Sequence, residues 1–435
     1  MGRIATKRHD LLVFLAALAI SGLFWIFVPG ESALSDSIFH DYETYYAPVA
    51  RNLAAGKGLV TDRGELATLY PPVYPLMLAA LIHLSSWTGV PFESWVVFFT
   101  LTCAALSTVL LFNIGWRTLG LRCGFITAAL WATYPAPLWL SKQPASDIVF
   151  LPFFYAALLL LLPLLLDETD SPLAAAGVGA MMGIAVLIRP MALLAAPVLA
   201  FCLAYYGSRE SWWMRLRPAT ALLAGCAAVL LPWEVFVWQQ TGGWIPVSTN
   251  GPASIARGLL PDVTPVALQG TQGAYGGNVR IPTGVRLILD GARDRDSKQR
   301  LHTREDVIEF LAETARERPL QLMQLIWWKA KRAWYAVGSR HEQETWIAWT
   351  HGAYLLSMAC GAMLLAGGPE IGRRWLAVSG LLVLCYWAMT VVAHSIARHM
   401  IPVMGLMFVW QAALLERGWE YLRRRRETPR RATGR

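Results

Sequence analysis

Three carboxylates and a few cations stand where this sequence could run acid–base and charge-stabilising chemistry. Asp41 and Glu43 lie in the stretch SIFHDYETYYAPVARNLAAGKGLVTDRGELATLYPPVYP, Ser37 to Pro75, and Asp147 closes the turn Ser141 to Asp147. A carboxylate can take a proton from an attacking hydroxyl, and a positive group can stabilise a departing anion. The candidate cations are Arg189, Arg257, and Arg398 with His399, while Lys57 and Arg63 in the first stretch are weaker alternatives. Each has a plainer reading. Asp41 and Asp147 both precede helical patterns, where Asp is among the best N-caps. Arginines at a membrane boundary more often reach for headgroups than bind a substrate.

The elements that position these residues are apolar helices. Behind Asp41, the residues Tyr42, Tyr45, Tyr46, Val49 and Leu53 recur at helical spacing, and Gly56 ends the pattern. The chain as a whole is 55% hydrophobic and 15% charged, far below the roughly 25% charge of soluble domains, so it reads as a multi-spanning membrane protein. Its net charge of +9 sits mostly in short connections and at the C-terminus, which fits orientation in a bilayer and not nucleic-acid binding. The six cysteines show no paired spacing that would indicate a disulfide framework or a zinc site.

Ten runs approach the roughly 20 residues that a bilayer core requires. They are residues 11–28, 93–113, 124–140, 148–166, 172–188, 191–206, 218–238, 346–366, 375–393 and 397–415. Residues 72–87 form an eleventh, shorter run, led by proline and interrupted by His83. If it does not cross, Arg117 and Arg122, Arg209, Arg215 and Arg217, Arg373 and Arg374, and both termini share one side, as the positive-inside rule expects. It is therefore expected to be re-entrant or interfacial, with both termini cytoplasmic and Asp41, Asp147, Arg189 and Arg398 on the outer face. The expected organisation is an N-terminal membrane module over 1–238 with an outer loop at 29–92, an outer domain over 239–345, C-terminal spans over 346–416 and a basic tail over 417–435. The outer domain should begin irregularly at 239–258 and turn helical from a capping-box-like Thr303. Pro319 then opens a helix whose face of Leu320, Met323, Trp327, Ala330 and Trp334, flanked by Lys329, Lys331 and Arg332, suits the headgroup plane.

The first stretch resembles the first outer loop of the GT-C glycosyltransferases, which include protein O-mannosyltransferases and bacterial aminoarabinose transferases. The matching residues are Asp41 and Glu43, Tyr45-Tyr46, Ala50-Arg51-Asn52-Leu53, Gly56-Lys57-Gly58 and Pro71-Pro72-Val73-Tyr74-Pro75, in order over about forty residues. In the family the acidic pair is adjacent, whereas here Tyr42 stands between, so either Asp41 or Glu43 can hold the catalytic position. Ala397-Arg398-His399-Met400-Ile401-Pro402 is similar to the family's Arg-Tyr-x-x-Pro motif, with His399 for Tyr, and the family also carries an acidic residue in the turn of Asp147.

The resemblance implies an all-α GT-C-like bundle of about ten spans in a bacterial inner membrane. It implies an inverting glycosyltransferase that moves a sugar from a polyprenyl-phosphate donor to a glycan, lipid or protein acceptor. Asp41, Glu43 and Asp147 would be catalytic. Arg398, His399, Arg189, Arg257, Lys57 and Arg63 would meet the donor phosphate, and Tyr45, Tyr46 and Tyr74 the substrate. A divalent metal stays open as a cofactor, although no cluster with ligand spacing accompanies Asp147. The alternative is a transporter or lipid-glycan flippase, which would place its charges near the midplane in paired halves.

Overall fold

The computed structural model describes residues 2–29, 41–206, 211–259, 282–297, 304–337 and 344–427. Among these the chain is helical apart from turns and one isolated antiparallel bridge, Val60 to Leu66. The N-terminal part contains α1 Gly2–Phe27, α2 Ala47–Ala54, α3 Val73–Thr88, α4 Phe92–Leu119, α5 Leu121–Ala132 and α6 Pro135–Leu140. It continues with α7 Ser146–Leu165, α8 Pro172–Ile188, α9 Ala195–Tyr206 and α10 Trp212–Thr241. Four helices follow: α11 Asn250–Leu259, α12 Thr283–Ser297, α13 Arg304–Glu317 and α14 Pro319–Arg332. The last three are α15 Glu344–Ala366, α16 Glu370–Val392 and α17 Ile401–Glu427.

Seven of these, α1, α4, α7, α10, α15, α16 and α17, are long and apolar enough to cross a membrane. All ten expected runs lie on helices, but three fall on shorter ones. Residues 124–140 are split into α5 and α6, because Pro135 has no N–H to donate and pushes Tyr134 into an extended conformation at ψ 124°. Residues 172–188 form α8, and 191–206 divide into a 3-10 turn, Pro190–Ala192, and the 12-residue α9.

Helix α7 is the buried centre, flanked by α4 and α8. Glycines bring α8 and α10 into backbone contact. A Cβ on Gly179 would stand 1.8 Å from the Leu222 carbonyl oxygen, and one on Gly225 2.1 Å from that of Ala176. Such crossings suit a lipid setting, where close packing replaces the hydrophobic drive between helices. Helix α17 is held to α7 where the Tyr155 hydroxyl donates to the Pro402 carbonyl at 2.9 Å.

Helix α3, the run 72–87, packs on α2 and α4, and Tyr42 ahead of it and Glu93 behind it line one cleft.

The 239–345 segment builds its own small core from Val285, Ile288, Leu289, Val307, Phe310, Leu325 and Trp328. Two expectations about it need correction. Residues 250–259, expected to be irregular, form α11, since Gly251 and Pro252 fall in its tolerant first turn and Ile255 and Leu259 then share one face on that core. On α14, Leu320, Met323 and Trp327 are exposed as expected, but Lys329 and Arg332 are buried and do not flank that face in solvent. Thr303 lies outside the described residues, and α13 begins at Arg304. The last helix also runs past the expected span end at Leu415 to Glu427, carrying Arg423–Arg426 with it.

Candidate active site

Proline geometry delivers the first cation. Pro190 excludes the helical conformation from its predecessor, so α8 stops at Ile188 and Arg189 extends at φ −142° and ψ 116°. Its guanidinium then turns toward the start of α7, where it meets the Asp147 carboxylate at 2.6 Å and donates to the Ser146 hydroxyl at 3.3 Å. Asp147 is not an N-cap. The capping position is Ala145, and Asp147 sits in the first turn, where the helix dipole favours its charge.

The second cation comes from the elbow between α16 and α17. Ile396 is extended, a 3-10 turn spans Ala397–Met400, and Arg398 Nε comes to 3.7 Å from the other oxygen of Asp147. Arg398 Nε is buried without a hydrogen-bond partner. His399 donates from Nδ1 to the His394 carbonyl at 2.9 Å, which leaves Nε2 as the acceptor of a neutral ring. One carboxylate is thus shared by two guanidiniums, and the cluster keeps a surplus positive charge. Asp147, Arg189, Tyr386, Arg398 and His399 line one small cavity.

The first outer stretch packs beside this cluster through a nest of tyrosines. Tyr42–Tyr46 form a π-helical turn that runs into α2, which Gly56 ends in the left-handed conformation at φ 74°. Tyr46 stacks on Tyr70 at 5.0 Å and meets Tyr74 edge-on at 4.9 Å. Burial pushes the Tyr42 and Tyr45 phenols up to about 12 and Tyr46 higher still, so all three are neutral hydrogen-bonding groups. The Tyr46 phenol lies near Ser146, Arg189 and Asp41. Asp41 is not the N-cap its position suggested: its own backbone is helical at φ −59° and ψ −36°, and its side chain makes no capping bond.

Glu43 points elsewhere. With Tyr42, Arg51, Glu93, Lys142 and Gln143 it lines a cleft of about 460 Å³ on the other side of the Ser141–Asp147 turn. Arg398 has a second environment too, since it also lines an apolar groove of about 170 Å³ walled by Tyr134, Trp139, Val337, Trp346 and Ile401.

The structure therefore brings together Asp147, Arg189, Arg398, His399 and Tyr46, with Tyr45 and Tyr74 in the supporting layer. Lys57 and Arg63 stand exposed near the Val60–Leu66 bridge, away from the cluster. The side chain of Arg257, on α11, lies outside the described residues. Among the described residues no group of three or more His, Cys, Asp and Glu side chains gathers to hold a metal ion.

Sequence reasoning missed four buried charges, of which Arg332 and Glu344 pair with each other at 2.7 Å. Lys329 of α14 donates to the Ala393 carbonyl at 2.9 Å and to that of Val392 at 3.3 Å, capping the C-terminus of α16 just ahead of the Arg398 elbow. Nothing in the sequence separated it from the exposed lysines beside it. Glu234 of α10 accepts from the Val247 N–H at 2.7 Å and holds Val247 at φ 61°, while Trp233 donates to the Val247 carbonyl at 2.8 Å. A lone carboxylate inside the apolar run 218–238 was the available signal.

No protein-family model matches the chain, and no curated protein matches it by sequence. Solved structures do match its fold. The oligosaccharyltransferase AglB from Archaeoglobus fulgidus, in complex with an inhibitory peptide and a dolichol-phosphate, superposes with a TM-score of 0.56 at 14% identity, over 99% of this chain and 52% of AglB. The same enzyme tethered to an acceptor peptide gives 0.57 at 14% identity, over 96% and 50%. This chain thus spans about half the length of those proteins. ArnT from Cupriavidus metallidurans bound to undecaprenyl phosphate is also matched, at 15% identity and a TM-score of 0.36, over 93% of this chain and 77% of ArnT. Seven membrane-length helices, with α7 buried among the other six, give this chain the fold of the AglB structures over about half of their length.

Proposed function

We propose that the protein is an inverting glycosyltransferase that takes a sugar from a polyprenyl-phosphate donor at the outer face of a membrane. The observation that carries this reading is the double role of Arg398. It belongs to the positive cluster around Asp147 and is also a charged residue in the lining of the apolar groove. A phosphate at one end of a long apolar chain matches that pair of surroundings. The phosphate would meet the unpartnered Arg398 Nε and the surplus positive charge, with the prenyl chain along Tyr134, Trp139, Trp346 and Ile401.

In the reaction, a carboxylate takes the proton of an acceptor hydroxyl as its oxygen bonds to the anomeric carbon. The anomeric C–O bond breaks at the same time, and its electron pair leaves with the polyprenyl phosphate, whose new charge the arginines stabilise. Asp41, the carboxylate on the Tyr46 side of the π turn, is the base in this scheme. Glu43 faces the other cleft. Asp147 orients the two guanidiniums.

The experiment is to incubate purified protein with a panel of labelled polyprenyl-phosphate sugars and follow release of the sugar. Arg398→Ala should weaken donor use by roughly ten- to a hundredfold, the loss of a charge-assisted bond of about 1.5–3 kcal/mol. A wild-type protein that consumes none of the panel, or an Arg398→Ala variant with unchanged donor affinity, would overturn the reading.

A further inference from the structure

The cleft of about 460 Å³ is larger than the Asp147 cavity and, unlike it, balances its charges. Around it stand Glu43, Glu93, Arg51, Lys142 and Gln143. Lys142 is committed elsewhere, since its ammonium donates to the carbonyls of Trp25 and Val28 and ties the cleft wall to the end of α1. No hydrogen bond or ion pair among the described residues engages the side chains of Glu43, Arg51, Glu93 or Gln143. Two carboxylates thus balance the Arg51 guanidinium and the Lys142 ammonium, so the cleft holds no surplus positive charge for an anion, as the Asp147 cluster does.

The floor of the cleft has a different character. Val96, Val97 and Thr100 carry it down the side of α4 by two turns toward the membrane-crossing part of that helix. A volume of this size lies within the roughly 300–1,000 Å³ of small-molecule sites. Carboxylates, an amide and a guanidinium in one rim suit a ligand with many hydroxyls, each hydroxyl able both to donate and to accept. The apolar floor suits an alkyl chain attached to it.

We infer that this cleft binds the uncharged sugar headgroup of a membrane-anchored glycolipid, which serves as the acceptor. The inference rests on the donor reading for the word acceptor, but the binding site stands on the cleft alone. The two sites share the Ser141–Asp147 turn, whose first residues line the cleft and whose last residues hold the positive cluster. A headgroup in the cleft and a donor phosphate on Arg398 would therefore lie on either side of one short segment, with the π turn of Tyr42–Tyr46 between them.

The test uses the full chain in lipid nanodiscs and, as probe, an octyl glucoside carrying a photoreactive diazirine in its alkyl chain. The expected result is saturable labelling within residues 92–100 or 141–144, competed by octyl glucoside and not by octyl phosphate. Val97→Trp fills the cleft from a half-buried position, and Glu93→Gln, on an exposed residue, removes charge at constant shape. Each should lower saturable labelling at least tenfold. Labelling that does not saturate, that octyl phosphate displaces equally well, or that survives both substitutions would overturn the inference. Saturable labelling by a protein that consumes no polyprenyl-phosphate sugar would leave this site standing and end the donor reading. Donor consumption without saturable labelling would do the reverse.

Discussion

Asp147 is gripped from both sides, with Arg189 at 2.6 Å on one carboxylate oxygen and Arg398 at 3.7 Å from the other. Removing one partner of a buried pair costs about 3–5 kcal/mol, and less where water still reaches the groups. Asp147→Asn should therefore destabilise the protein measurably, while in Arg189→Gln the remaining Arg398 should soften the loss. A double-mutant cycle on thermal unfolding is expected to give a coupling energy above about 0.5 kcal/mol. Strict additivity would mean that the short contact contributes nothing.

Asp41 carries a sharper expectation than its sequence context allowed. Because its backbone is already helical and its side chain caps nothing, both Asp41→Asn and Asp41→Ala should melt within a degree or two of wild type. Both should lose sugar transfer. If the Ala variant alone were unstable, Asp41 would be structural after all; if both transferred normally, it would not be the base.

The α8–α10 crossing offers a paired test. Gly179→Ala drives a Cβ into backbone atoms of Leu222 and Cys226 and should cost at the upper end of the roughly 1–3 kcal/mol seen for overpacking. Gly177→Ala, one helical turn-fraction away, meets nothing within 4 Å and should be neutral or gain up to about 1 kcal/mol of helix propensity. Equal melting temperatures for the two variants would contradict the packing described.

Burial lowers the Lys329 ammonium to about 7, well below its ordinary value. Between that value and the unfolded one, near 10.5, the unfolded chain holds a proton that the folded chain has released, so stability rises with pH across that window. Below about 7 both states are protonated and the term is constant. Lys329→Met should flatten the rise between pH 7 and 10, and melting curves that stay parallel for the two proteins would refute the assignment.

Hydropathy made the helices legible, because a bilayer demands long apolar runs whatever their packing. It could not say that Tyr134 would break the run 124–140, although the proline behind it was in plain view. Asp147, Arg189 and Arg398 were each named from local context, yet their meeting depends on how α7, α8 and the α16–α17 elbow pack, which no local pattern encodes. The capping reading of Asp41 failed for a related reason: a cap needs extended backbone, and composition is silent on φ and ψ. Lys329 was invisible because a lysine that snorkels and one that closes a helix end look alike in sequence.

The π-helical turn at Tyr42–Tyr46 holds one more residue than an α-helical turn would. The GT-C resemblance carries adjacent acidic residues where this chain has Asp41-Tyr42-Glu43. An insertion into an α-helix would swing every later side chain around the axis by about 100°. A single wide turn takes up the surplus instead, as π-bulges do in other helices. Tyr46 lies beside Ser146 and stacks on Tyr70 within the tyrosine nest. Of the two carboxylates, Glu43 faces the cleft of about 460 Å³ while Asp41 lies near enough to Tyr46 to act on its phenol, so one wide turn sends neighbouring acids into different surroundings.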